Sequence, residues 1–100
     1  MSPAPPSLKK DSVALATLLH TVGDPHRLAI LCSIFSRPNV CVSDIAKRLH
    51  VPIATVSHHL RVLARVGIVK AQREGKEVCY MFNVTSRTRD LKKFICKYKK

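Results

Sequence analysis

The chain has 100 residues, of which 46% are hydrophobic. A single domain of this length buries only roughly two thirds of the surface that its unfolded chain exposes. Because apolar side chains are then left uncovered, association with a second copy is expected. Eighteen Lys and Arg against six Asp and Glu give a formal charge of +12, which favours a polyanionic partner, with nucleic acid first. No run approaches the ~18 apolar residues of a membrane span and no signal-peptide core follows the N-terminus, which predicts a cytoplasmic protein with no membrane partner.

Two helices are predicted at the start of the chain. Residues 1–7 are rich in proline and small residues and predict a disordered lead, followed by one domain over residues 8–100. Apolar residues at helical spacing predict a first helix that Gly23 ends: Leu15, Leu18, Leu19 and Val22. Asp24 and Pro25 predict the start of the second helix, because Asp accepts first-turn amides and Pro needs no amide partner there. Its expected inner face comprises Leu28, Leu31, Cys32 and Phe35.

The next two predicted helices have the spacing of a helix-turn-helix, over residues 42–67. Residues 41–50 form the first of them, Val51 and Pro52 lie in the turn, and residues 53–66 form the second, which Gly67 caps. The buried positions expected from this spacing are Val42, Ile45, Ala46, Leu49, Val51, Val56, Leu60 and Leu63. His50 occupies the turn position where φ is often positive, which histidine tolerates better than most residues.

After Gly67 the apolar period changes from helical to alternating. Residues 68–73 and 77–83 flank a Glu-Gly-Lys turn and predict a β-hairpin. Thr85 or Ser86 begins a last helix, whose apolar stripe is Leu91, Phe94, Ile95 and Tyr98. Four helices, a hairpin and a fifth helix predict a mainly α, winged helix-turn-helix fold.

The outward face of the fourth helix is the predicted DNA-reading surface. Its side chains can donate hydrogen bonds to phosphates or base edges in a major groove: Thr55, Ser57, His58, His59 and Arg61. Arg73 and Lys76 flank the hairpin tip and suit a wing that contacts the DNA backbone. His59 lies close to the buried stripe, so an internal packing role is the alternative for it.

The chain resembles the ArsR/SmtB family of bacterial repressors. The resemblance spans roughly residues 11–96 and is carried by the segments VCVSDIA (40–46), ATVSHHLRVL (54–63), GIV (67–69) and REGK (73–76). It implies a homodimer, joined through the first and last helices, that binds a palindromic double-stranded operator until an inducer lowers its affinity.

The sensing sites of the family match this chain to different degrees. Members with a thiolate site on the third helix carry Cys-Val-Cys-Asp-Leu, but Ser43 replaces the second cysteine here. The zinc site of the last helix needs histidines, and this helix has Asp90 and none. The branch similar to persulfide and redox sensors carries one cysteine in the second helix and one near the chain end, where Cys32 and Cys96 stand.

The four cysteines therefore leave three hypotheses open. By the resemblance, a persulfide or oxidant bridges Cys32 and Cys96 and releases DNA. Alternatively, Cys41 with Cys32 or Cys79 binds arsenite or a soft metal ion as inducer, since a helix start favours the thiolate. Otherwise the cysteines are structural, Cys79 in strand packing, and the protein binds DNA without an inducer. No cofactor is required, structural disulfides are not expected in a reducing compartment, and nothing indicates an enzyme.

Overall fold

The computed structural model describes residues 10–98. Its elements follow in the order α1 (Lys10–Val22), α2 (Pro25–Phe35), β1 (Val40–Cys41), α3 (Val42–Leu49), α4 (Ile53–Arg65), β2 (Val69–Glu74), β3 (Glu77–Phe82) and α5 (Ser86–Tyr98). This architecture confirms the predicted mainly helical fold with a hairpin wing. The expected lead at residues 1–7 lies outside the described residues. Within residues 10–98, no helix is both long and apolar enough to cross a lipid bilayer.

Local signals set the helix boundaries as predicted. Asp24 caps α2, since its carboxylate accepts the Arg27 backbone N–H at 3.0 Å, and Pro25 is the first helical residue. Thr85 and Thr88 exchange hydrogen bonds between side-chain hydroxyls and backbone amides at the start of α5. These caps satisfy amides that have no partner inside a helix.

The turn of the helix-turn-helix has the backbone that the sequence predicts. His50 adopts φ 55° and ψ 44°, the left-handed conformation, and its N–H bonds to the Ala46 carbonyl. The Val51 N–H donates to the same carbonyl at 3.1 Å. One strained residue thus ends α3 and directs the chain into α4.

A three-stranded antiparallel sheet, in the order β1-β3-β2, forms the wing. Strand β1 was not predicted, because a two-residue strand has no readable period, and Cys41 was expected in the third helix. Its register pairs Val40 with Tyr80 and Cys41 with Cys79. Strand β1 thereby joins the start of α3 to the wing.

The core lies between α2, α3, α4 and the sheet. Its fully buried side chains are Ile30, Leu31, Ile34, Val40, Ile45, Val56, Leu60, Leu63, Ile68 and Cys79. The prediction for α2 was wrong in part: Ile30 and Ile34 are buried, whereas Leu28, Cys32 and Phe35 pack only at the edge of the core. Helix α2 contacts α3, α4 and β3 together, and this environment turns its buried face toward Ile30 and Ile34.

Candidate nucleic-acid interface

Helix α4 is fixed by one buried stripe and presents its other faces outward. Val56, Leu60 and Leu63 are fully buried, which sets the rotation of the helix about its own axis. As a consequence His58 and Arg61 are exposed, and Thr55 and Ser57 are half-buried. The side chains predicted to read DNA thus lie at or near the surface of the protein and include hydrogen-bond donors.

His59 is held at the edge of this face by Arg27. The Arg27 Nε donates to His59 Nδ1 at 3.1 Å, and an Arg27 terminal nitrogen donates to the Thr21 carbonyl at 2.9 Å. One guanidinium therefore joins α1, α2 and α4. Because Nδ1 accepts this hydrogen bond, the proton of the neutral imidazole is on Nε2.

The surroundings of His59 disfavour its charged form. Burial lowers the pKa of His59 below its usual value, and the nearby Asp24 carboxylate opposes that shift only in part. The pKa of Asp24 is also lowered, chiefly because its carboxylate accepts the Arg27 backbone N–H. Asp24, His26 and His59 place ligand atoms within 4.8 Å of one another, beside the Arg27 cation.

The wing stands beside the start of α4. Arg73 and Lys76 are exposed at its tip, and Gly75 adopts φ 62°, which the tight turn requires. A groove of about 220 Å³ runs between α3, α4 and the wing. It is lined by Val42, Ser43, Ile53, Ser57, Glu77 and Val78.

Two side-chain hydrogen bonds fasten the wing to the helix-turn-helix. The Asn39 Nδ2 donates to Glu74 Oε1 at 2.6 Å, and the Ser43 hydroxyl donates to Glu77 Oε1 at 2.9 Å. Both bonds span more than 30 residues of sequence. They link the residue before β1 and the first turn of α3 to the two strands of the hairpin.

The structure places the four cysteines in two regions. Cys41 and Cys79 are joined by a disulfide at the base of the wing, which corrects the expectation that no structural disulfide forms. Strand pairing explains it, because the two residues are direct cross-strand partners. Cys32 is half-buried on α2, and Cys96 is exposed on α5.

Arg27, Asn39 and Glu74 make contacts that the sequence did not predict. Weak local signals existed for two of them: Arg27 follows the capping Asp24, and Glu74 lies beside the hairpin turn. Their partners His59, Glu74 and Cys79 become identifiable only when helix packing and strand register are known.

Comparisons with known proteins agree with this geometry. The sequence model of the family described as "Bacterial regulatory protein, arsR family" matches residues 24–71. An uncharacterized HTH-type transcriptional regulator of Methanocaldococcus jannaschii is 38% identical over 80 residues, which are 80% of this chain and 89% of that protein. The HTH-type transcriptional repressor SmtB of Mycobacterium tuberculosis is 37% identical over 78 residues, covering 78% of this chain but 56% of its own length.

Solved structures share the whole fold. HlyU from Vibrio cholerae N16961 superposes with a TM-score of 0.79 at 26% identity, covering 91% of this chain and 98% of that one, and a structure of its reduced form matches equally well. The transcriptional repressor PagR of Bacillus anthracis gives a TM-score of 0.72 at 29% identity, covering 85% of this chain and 95% of that one.

Proposed function

The chain belongs to the ArsR/SmtB family of winged helix-turn-helix DNA-binding repressors, and from that premise we propose that it works as a homodimer on a palindromic operator, which a thiol-directed signal releases. The family consists of transcriptional regulators, so the chain is a regulator and not an enzyme. Three surfaces support the proposal: the exposed face of α4 with the wing, the apolar faces of α1 and α5, and the region of α2 and α5 that carries two thiols.

The DNA surface carries the proposal. Arg61 and His58 project from the exposed face of α4, Ser57 lines the groove toward the wing, and Thr55 is half-buried on the same helix. In a major groove, arginine donates two hydrogen bonds to guanine, and the hydroxyls and imidazoles reach phosphates or base edges. Arg73 and Lys76 at the wing tip contribute backbone contacts that carry no base information. His59 contributes through its Nε2–H, since its Nδ1 accepts the hydrogen bond from Arg27.

The dimer surface follows from the side chains that the monomer leaves uncovered. Helices α1 and α5 expose large apolar residues around a cavity of about 310 Å³: Leu15 (50% exposed), Leu19 (53%) and Phe94 (65%), with Tyr98 (70%) packed on Phe94. Grouped apolar exposure of this kind marks a protein interface. A two-fold dimer through α1 and α5 presents two α4 helices to two half-sites, so the operator is palindromic.

The signal acts on Cys32 and Cys96. Helices α2 and α5 meet where the Lys92 ammonium lies 5.5 Å from the centre of the Phe35 ring. Cys32 precedes Phe35 by about one turn, and Cys96 follows Lys92 by about one turn, so both thiols belong to the helices that meet there. An oxidant that removes two electrons and two protons leaves a Cys32–Cys96 disulfide. A donor of two sulfane sulfur atoms leaves one of them as a bridge between the two cysteines, and the other departs as hydrogen sulfide with the two electrons and two protons. Either product links α5, in the dimer surface, to α2, beside α4.

The experiment measures DNA binding and thiol state on the same samples. A duplex enriched from a random library serves as operator, with a scrambled duplex as control, and fluorescence anisotropy reports affinity at physiological salt. We expect selective binding, release after a sulfane-sulfur donor or peroxide, and a Cys32–Cys96 bridge by mass spectrometry. The matched variant Cys96→Ser, at an exposed position, retains selective binding and is not released.

Each component of the proposal has its own contrary result. Equal affinity for selected and scrambled duplexes contradicts the repressor. Release by metal alone, with the Cys32 and Cys96 thiols still reduced, contradicts the thiol signal but leaves the repressor intact. Insensitivity to every treatment identifies a constitutive DNA-binding protein.

A further inference from the structure

Ile53 places an exposed apolar side chain on the surface proposed to read DNA. It is the first residue of α4 and is 57% exposed. Among residues 10–98, the other exposed large apolar side chains lie on α1 and α5, apart from Val84. Isoleucine is β-branched and a weaker helix former than alanine, so helix formation does not account for it. Because single exposed apolar residues are ordinary, the position of Ile53 carries the argument.

Ile53 shares a stripe of α4 with two side chains that were predicted to read DNA. Residues four and eight positions further along a helix lie on nearly the same face, and these are Ser57 and Arg61. Ser57 is half-buried and Arg61 is exposed. Ile53 and Ser57 both line the groove toward the wing. An α4 helix that lies in a major groove therefore brings Ile53 to the base edges together with its polar neighbours.

The groove beside Ile53 suits an apolar group better than a phosphate. Val42 and Val78 line it along with Ile53. The Ser43 hydroxyl in the same groove donates to Glu77 Oε1 at 2.9 Å, so that hydroxyl is already paired. The carboxylate of Glu77 repels a phosphate, whereas the apolar side chains attract a group that is poorly hydrated.

Thymine is the base that presents such a group in the major groove, its 5-methyl. We propose that Ile53 is a specificity-determining residue, which packs against the 5-methyl group of one thymine in each half-site. The contact removes the methyl group and the exposed part of the Ile53 side chain from water, and this burial provides the preference for thymine. The inference rests on the proposed binding of α4 in the major groove and adds to it the base that the start of α4 selects.

The surroundings of Ile53 favour DNA over a second protein as the occupant of this surface. Arg61 on the same stripe is exposed, and so are Arg73 and Lys76 at the wing tip. The formal net charge of the chain is +12. A polyanion complements these cations, whereas a protein partner would have to cover them to reach one isoleucine.

The test removes the methyl group and nothing else from the DNA. Uracil retains the base pairing of thymine but lacks the 5-methyl, so each thymine of the selected operator is replaced in turn and anisotropy reports the affinity. We expect one position per half-site at which uracil weakens binding by about fourfold, and by about 15-fold when both half-sites are changed. Ile53→Ala binds the thymine duplex correspondingly less tightly and binds the thymine and uracil duplexes equally.

Two matched variants separate this contact from a general loss of binding. Ser57→Ala changes a side chain on the same stripe and weakens binding, but it retains the preference for thymine over uracil. Val84→Ala changes an apolar side chain that is 62% exposed and lies outside α4 and the wing, and it retains both affinity and preference. Circular dichroism verifies that each variant is folded.

The contrary results are distinct from those of the repressor. If no uracil replacement weakens binding of the parent, or if Ile53→Ala still prefers thymine at that position as strongly, the inference is overturned. It is also overturned if Ile53→Ala weakens selected and scrambled duplexes alike, because Ile53 then supports the wing rather than reading a base. In these cases selective binding by the parent leaves the repressor intact. Equal affinity of the parent for selected and scrambled duplexes overturns both proposals.

Discussion

The helix-turn-helix with its wing differs from helices α1 and α5 in how completely a single chain buries the apolar side chains. In the helix-turn-helix and wing, apolar stripes face one core and most of the surface is polar or cationic, as on α4, where Leu60 is buried and Arg61 exposed. Ile53, at the start of α4, is the exception at 57% exposed. Helices α1 and α5 each have apolar residues on two faces: Leu18 and Ile95 point inward, whereas Leu19 and Phe94 remain exposed. The proposed DNA-reading surface is complete in one chain, whereas the exposed apolar residues of α1 and α5 suit the proposed contact with a second copy.

The largest expected effect comes from placing a charge among the exposed apolar side chains of α1 and α5. Phe94→Asp places a charge in the proposed dimer surface, so we expect a monomer by sedimentation and a loss of operator affinity of about 100-fold or more, because two linked half-site contacts become independent. Val84→Asp, an equally exposed apolar position outside the α1–α5 cavity, leaves the dimer intact. A dimeric Phe94→Asp protein would contradict the assignment of that surface.

The second prediction compares one leucine from each region. In the monomeric Phe94→Asp background, Leu60→Ala leaves a cavity in a fully buried site and lowers the free energy of unfolding by about 2–5 kcal/mol. Leu19→Ala, at a half-exposed site, changes it by no more than about 0.5 kcal/mol. Urea denaturation measures both, and similar losses would mean that α1 is covered within the monomer.

The third prediction distinguishes the contribution of the α4 face to DNA binding from that of the wing. Arg61→Ala costs about 1–3 kcal/mol of operator binding and relaxes the preference at one base position. Lys76→Ala weakens all duplexes alike and reduces the salt slope of log K by about one. Anisotropy titrations at several salt concentrations distinguish them, with Lys93→Ala on α5 as the control. Equal behaviour of the Arg61 and Lys76 variants would show that α4 contacts only phosphates.

The smallest effect concerns His59, where the two regions meet through Arg27. Because the pKa of folded His59 lies below the unfolded value of about 6.5, the unfolded chain binds more protons as pH falls through that value. We therefore expect stability to be full above pH 6.5 and to decrease as pH falls from there toward the folded pKa. His59→Gln removes this component of the pH dependence and His58→Gln retains it. An identical profile in both variants would show that folding does not lower the pKa of His59.

Much of the fold was predictable because its signals are local. Periodicity located α1 to α5 and the hairpin, Asp24 and Pro25 located a helix start, and the left-handed turn at His50 followed from its position in the motif. The details that the sequence predicted wrongly or not at all depend on how the elements pack together. Which face of α2 is buried depends on α3, α4 and β3 together, and strand β1 exists only because β3 pairs with it.

For function, the sequence by itself determined a basic helix-turn-helix with a cationic wing and donors from Thr55 to Arg61, because helical period fixes which side chains share a face. Tertiary structure decided which groups meet. It joined Arg27 to His59, Asn39 to Glu74, and Cys41 to Cys79, since contacts between residues more than 30 positions apart depend on register and crossing angle. The physical reason is that local propensities act within a few residues, whereas a site built from three elements requires the whole chain to fold.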